Sequence, residues 1–309
     1  MSTAFLFDEI YLKHNAGLPH PENPQRLLAI LRGLNQTGLR KKLLTVDPPP
    51  AKEEQILLCH TRKHLEFIRE ASRSGSYQID PDTHVSADSF DAAMVAAGAA
   101  VRAVDGIMSN EFSNAFAAVR PPGHHATPDT AMGFCLFNNI AIAARWLVRH
   151  HKLKRVLIMD WDVHHGNGTQ DIFVDDPSVV YISLHKKYHY PGTGWEHETG
   201  GGIAAGTKIN FPIDNPSQYM DFFRIALSKA EKFQPEFILI SCGFDAHEDD
   251  PLGNLYLKNE DYAEMTRMMF KFAEKFGHQR VFSILEGGYD YDALANAGSA
   301  HVKVLMEHS

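Results

Sequence analysis

The chain is poor in cysteine. Three residues in 309, Cys59, Cys135 and Cys242, stand singly along it. An odd count without Cys-x-x-Cys spacing argues against a disulfide framework and against a thiolate metal site. Long apolar runs are also missing, since no stretch approaches the roughly 20 residues needed to cross a bilayer. Neither charge sign is clustered. Thirty basic against thirty-eight acidic residues leave a formal charge of −8, and no Lys/Arg-rich run interrupts that balance. Direct binding to nucleic acid is therefore not expected. Repeats and low-complexity tracts are absent as well. The opening "MSTAFLFDEIYLKH" has no basic region and meets Asp8 and Glu9 early, so no secretory signal is expected. These absences lead us to expect a reduced, cytoplasmic protein without membrane contact. A homo-oligomer is compatible with them.

The composition is that of an ordinary globular protein, 44% hydrophobic and 22% charged. The length allows one large α/β domain or two small ones, and without a long linker a single domain spanning 1–309 is expected. The proline cluster "DPPPAKEE" (47–54) reads as a turn between elements. Apolar runs of strand length occur at "AFAAV" (115–119), "RVLIMDWDV" (155–163), "VVYISLH" (179–185), "FILISCGFD" (237–245) and "RVFSILEGG" (280–288). Helical patterns occupy 89–108, 138–151, 217–233 and 259–277. The strand runs are continuously apolar, as parallel strands covered on both faces should be. Strands alternating with helices predict a doubly wound central parallel sheet flanked by helices.

Each strand run finishes in residues that can do chemistry: "RPPGHH", "DWDVHHGNG", "SLH", "GFDAH" and "EGGY". Open parallel sheets bind ligands outside the carboxyl ends of their strands. Five such ends would meet at one place.

Asp160, Asp162 and His164 are spaced two apart, so an extended chain projects them to one side, with Trp161 and Val163 on the other. Carboxylate and imidazole together suit a divalent ion such as Zn²⁺, and Fe²⁺ would also accept them. A third ligand must come from elsewhere. Asp245 is the candidate, because a lone carboxylate ending so apolar a strand would be costly. A single Asp or His is more often a turn cap or a satisfied core histidine. The combined pattern with a distant strand-end Asp points to a metal.

His124 and His125 follow a buried strand, and Gly123 lets the backbone there come close to a ligand. Alone they would read as surface histidines in a Pro-Gly turn. Beside a metal they can divide proton work, each needing a partner to fix its tautomer. Asp160 is suited to one and Asn167 to the other. Tyr289 after "EGG" is an ordinary packed aromatic by itself, but at the same rim its phenol can donate to a carbonyl that gains negative charge.

These motifs resemble the zinc-dependent histone deacetylase superfamily, which includes acetylpolyamine amidohydrolases and acetoin-utilisation proteins. The match runs from "HPENPQRL" (20–27) through "RPPGHH", "GFCLFNN", "DWDVHHGNGTQ", "SLH…YPGTG" and "GFDAH…DPLG" to "EGGYD" (286–290), and is most similar to the class II branch. The resemblance implies an arginase/deacetylase-type α/β fold with Zn²⁺ held by Asp162, His164 and Asp245. It implies catalysis by His124, His125 and Tyr289 with Asp160 in support, His125 being the general base. Phe134 and Tyr190 would wall an acyl-lysine channel lined also by Gly133, Gly287 and Leu252. A structural K⁺ would lie against Asp160, Asp162, His164, Ser183 and Leu184, and a second monovalent ion near Phe173, Asp176 and Val179. Asp82 would meet substrate backbone at the rim.

Two positions bear on specificity. Relatives with histidine in place of the tyrosine are nearly inactive on acetyl-lysine, whereas this chain keeps Tyr289. Polyamine-preferring relatives carry a glutamate where Leu252 aligns, and an apolar gate offers nothing to a second ammonium. The expected activity is hydrolysis of acetyl-lysine in protein or peptide. Its rivals are the same chemistry on an acetylated small amine, an arginase-like ureohydrolase, and a non-catalytic acyl-lysine binder. The tandem "GHH" and "EGGY" argue against the ureohydrolase.

Overall fold

The computed structural model describes residues 2–17 and 19–309. In chain order the elements are β1 (Thr3–Leu6), α1 (Gln25–Gln36), β2 (Leu44–Val46), α2 (Glu53–Ile56), α3 (Arg62–Arg73), β3 (Ser76–Gln78), β4 (His84–Ser86), α4 (Ser89–Met108), β5 (Asn114–Ala117), α5 (Asn139–Arg149), β6 (Val156–Asp160), α6 (Asn167–Ile172), β7 (Val179–Lys186), β8 (Lys208–Ile213), α7 (Tyr219–Ala230), β9 (Phe237–Cys242), α8 (Asn259–Glu274), β10 (Val281–Leu285) and α9 (Tyr291–Glu307).

Eight strands form one sheet in the order β2-β1-β5-β10-β9-β6-β7-β8, and every pairing in it is parallel. The predicted strands β5, β10, β9, β6 and β7 are contiguous at its centre, and all but the last residue of β7 are buried. That burial is why their sequences are unbroken apolar runs. A short antiparallel hairpin, β3–β4, lies apart. Helix α1 packs on α9 and α9 on α8, while α4 packs on α5. Gly33 permits the α1–α9 contact, because a Cβ there would sit 2.2 Å from the Ala295 carbonyl oxygen. Alanine fills much of α4 and is buried, which lets that helix lie close to its neighbours.

The helix predicted at 89–108 is observed over that range. Asn138 caps α5 by accepting from the Ala141 amide, so this helix starts one residue later than predicted. The stretch 217–233 is a helix only from Tyr219 to Ala230, with 3₁₀ turns at Pro216–Gln218 and Glu231–Phe233. The larger correction concerns 155–163. The strand ends at Asp160. Asp160 Oδ1 then accepts from the Asp162 amide at 3.2 Å, and Asp162 Oδ1 from the His164 amide at 2.9 Å. Side-chain carboxylates take the amides a ladder would use and turn the chain. Asp162 and His164 therefore approach through successive turns and not along one face of a strand.

Candidate metal centre and active site

Asp162, His164 and Asp245 are buried and come together beyond the carboxyl ends of β6 and β9, with one ligand atom from each within 4.8 Å of the others. His164 Nδ1 lies 2.9 Å from Asp162 Oδ1 and 3.2 Å from Asp245 Oδ2. Asp245 Oδ1 accepts from the Val163 amide at 2.8 Å. Among the described residues its Oδ2 is buried without a hydrogen-bond partner, the His164 Nδ1 being engaged by Asp162 Oδ1, an expensive arrangement unless a cation completes it. The carboxylates of Asp160, Asp162, Asp245 and Glu286 are all buried in this region. Burial and the Asp162 charge push Asp245 up to about 7. Burial likewise takes Glu286 to about 7, although His124 opposes it. His164 rises to about 9 against its burial because Asp162 and Asp245 face it. The donor set is two hard oxygens and one imidazole nitrogen, with surplus negative charge. It fits a divalent ion of the Zn²⁺ or Fe²⁺ kind.

Glycines make this packing possible. A Cβ on Gly287 would stand 2.0 Å from Asp245 Oδ2 and 2.6 Å from Asp162 Oδ2. One on Gly243 would stand 2.3 Å from Asp162 Oδ2.

The two histidines in the turn after β5 have different partners. His124 Nδ1 donates to Asp160 Oδ2 at 3.0 Å, and Tyr181 donates to the same oxygen at 2.9 Å. Burial disfavours the His124 cation, yet Asp162, Asp160 and Glu286 together raise it to about 10. His125 Nδ1 lies 2.8 Å from Asn167 Oδ1. An amide oxygen only accepts, so Nδ1 carries the proton and Nε2 keeps its lone pair. Burial, then the His124 and His164 charges, hold His125 well below the usual histidine range. One ring is poised to hold a proton and its neighbour to receive one.

A cavity of about 150 Å³ opens on this cluster. Its walls include Phe134, Tyr190, Gly133, Leu252, Gly287 and Tyr289, and Asp82 also borders it. The Tyr190 ring meets that of His125 edge-on at 5.0 Å, and Phe134 meets Tyr289 at 6.0 Å. Phe134 has φ 69°, a conformation that costs a side-chain-bearing residue about 1–3 kcal/mol. The Thr83 hydroxyl accepts from its amide at 3.1 Å. Ser183 pairs with Asp160 across β7 and β6, with Leu184 next to it. A larger groove of about 650 Å³ lies against β8, among Phe211, Phe222, Ile225, Lys229 and Lys232. Neither Asp162, His164 and Asp245 nor His124 and His125 border it.

The supporting roles of several residues were not read from the sequence. Glu286 Oε2 accepts from the Gly123 and His124 amides at 2.7 and 3.1 Å, which fixes the histidine turn. Arg26 donates to the carbonyls of Gly288 and Glu286, and its guanidinium lies 5.0 Å over the Tyr289 ring. Glu22 binds both Arg26 and Arg120, all fully buried. Asp250 Oδ2 accepts from the Tyr289 amide at 2.6 Å. His189 stacks on His164 at 4.9 Å and donates to the Leu252 carbonyl. "HPENPQRL" and "EGGY" contain several of these residues, but nothing local in them names the partner.

A parallel sheet with this buried trio at its strand ends has the arginase/deacetylase-type α/β architecture. The chain matches the histone deacetylase domain over residues 20–305. It is 39% identical over 298 residues to a probable deacetylase of Archaeoglobus fulgidus, covering 94% of this chain and 82% of that one. It is 35% identical over 325 residues to a histone deacetylase-like amidohydrolase of Pseudomonas aeruginosa, covering 98% and 86%. A crystal structure of the HDA15 HD domain superposes with a TM-score of 0.94 at 37% identity, covering 100% of this chain and 90% of that one. The chain belongs to the histone deacetylase family, whose members are deacetylases and amidohydrolases that act on acetylated substrates and are generally metal-dependent.

Proposed function

We propose that this chain is a zinc-dependent amidohydrolase that removes acetyl groups from lysine side chains of proteins or peptides. The observation that carries the reading is the buried Asp162–His164–Asp245 trio, with its unpartnered Asp245 oxygen, beside a histidine whose Nε2 is free. Zn²⁺ held by these three would polarise the amide carbonyl and lower the pKa of a water toward about 7. A K⁺ against Asp160, Asp162, His164, Ser183 and Leu184 would offset buried negative charge.

The remaining work belongs to the chain's own groups. His125, fixed as the Nδ1–H tautomer by Asn167, takes the attacking water's proton at Nε2. The Tyr289 phenol, which burial keeps protonated, donates to the amide oxygen as that oxygen gains charge. The proton taken up by the histidine pair is returned to the leaving amine, giving acetate and free lysine. Phe134 and Tyr190 flank the aliphatic stem of the acyl-lysine, and the apolar Leu252 faces it near the mouth.

A second reading, the same hydrolysis on an acetylated small amine, is favoured by one feature. Asp82 borders the cavity, and its carboxylate would attract a second ammonium. The test is hydrolysis of acetyl-lysine peptide and acetylated polyamines in parallel, after chelation and after Zn²⁺ is restored. Metal-dependent turnover of the peptide with little on polyamines supports the first reading, and the reverse preference supports the second. Zinc binding without turnover of either, or of longer acyl chains, would revive the reading of a non-catalytic acyl-lysine binder.

A further inference from the structure

The second monovalent ion implied by the resemblance, near Phe173, Asp176 and Val179, does not fit the residues found there. The Lys208 ammonium donates to the Val179 carbonyl at 2.8 Å, to the Asp176 carbonyl at 3.2 Å and to Thr207 Oγ1 at 2.6 Å. The Phe173 carbonyl accepts from the Asp176 amide at 3.0 Å. The Asp176 side chain is engaged elsewhere, by Arg145 and by the Ser178 amide and hydroxyl. The Asp176 and Val179 carbonyls that would coordinate an ion thus already hold the Lys208 ammonium.

We propose that the Lys208 ammonium is the tethered occupant of the second cation position, so that this chain takes up at most one monovalent cation where its resemblance implies two. Lys208 is 1% exposed, a rare state for lysine unless its three N–H groups are satisfied, and three acceptors surround it. Its backbone begins β8 opposite Tyr181 of β7, so the stem needs no excursion to reach the turn before β7. A K⁺ on the same carbonyls would share their lone pairs with the ammonium and lie beside a like charge, with Arg145 a further cation close by.

The consequence lies in what the segment connects. Residues 173–178 join α6, whose first residue Asn167 accepts from His125, to β7, which carries Ser183. A covalently attached cation holds that connection whatever the surrounding salt.

The test uses Rb⁺ as an anomalous-scattering stand-in for K⁺, in crystals of the whole chain and of Lys208→Met, and is independent of any substrate. The expected result is no Rb⁺ peak at the Asp176 and Val179 carbonyls in the unaltered protein, and a new peak there in Lys208→Met. An Rb⁺ peak at those carbonyls in the unaltered protein, with Lys208 displaced, overturns the proposal. So does a Lys208→Met crystal with no peak there at saturating Rb⁺, because the carbonyls would then not form a cation position at all. If Lys208→Met does not fold, thermal melting of the unaltered protein decides, with KCl titrated against choline chloride at fixed ionic strength. A Tm rise following one binding isotherm, or none, supports the proposal, and two successive isotherms overturn it.

Discussion

Replacing Gly287 by alanine adds one methyl group at the most crowded point of the site. Its Cβ would meet Asp245 Oδ2 at 2.0 Å and Asp162 Oδ2 at 2.6 Å. The glycine cannot easily retreat: its amide donates to Asp162 Oδ2 at 2.8 Å and its carbonyl accepts from the Phe244 amide at 3.0 Å. Its φ is not in the left-handed region, unlike that of Gly288 at +120°, so the substitution tests steric contact and not backbone strain. The carboxylates or the loop must move by on the order of 1 Å, and displacements of that size cost catalysis on the order of 10²-fold. Disturbing the support of metal ligands lowers metal affinity by about 10–100-fold. Overpacking in a filled interior destabilises by about 1–3 kcal/mol, a fall of a few degrees in Tm. The assays are metal content after dialysis against a weak chelator, kcat/KM on the acetyl-lysine peptide, and thermal melting. Full metal retention with kcat/KM within threefold of the parent would refute the claim that this glycine is there to admit the two carboxylates.

Three other outcomes follow from the same geometry. Tyr289→Phe should lower kcat by about 10²–10³-fold while KM changes little, and an unchanged kcat removes the phenol from the mechanism. Asn167→Asp places a charge on the His125 Nδ1–H and raises that ring's pKa. Since the base must be neutral, the acid limb of the pH profile of kcat/KM should move to higher pH; a limb that stays put, or moves lower, means His125 is not the base. Arg120→Met strips Glu22 of its bidentate partner in a fully buried cluster. It should cost about 3–5 kcal/mol by urea unfolding, and a loss below about 1 kcal/mol would show that Arg26 alone satisfies Glu22.

The central strands were legible because burial on both faces writes one signature, an unbroken apolar run that stops where polar chemistry begins. β6 shows it, running Val156–Asp160 before turning into Asp162 and His164. The candidate ligand types were legible because metal and proton chemistry tolerate few side chains. Asp245 stood out as a carboxylate with no business ending so apolar a strand. The edges of the sheet were not legible. β1 and β2 are four and three residues long, too short for a period, and β8 carries a proline. Nor were the supports of the site. Arg120 finds Glu22 across 98 positions of sequence, and Glu286 finds the Gly123 amide across 163. Such pairings have no local period, because they depend on which loops the strand order brings side by side. By itself the sequence determined that this is a parallel α/β protein with Asp, His and Tyr at its strand ends. Only the tertiary structure decided that Asp245 Oδ2 would be left without a donor, that the two histidines would have unlike partners, and that a lysine from the edge strand would fill a place expected for an ion.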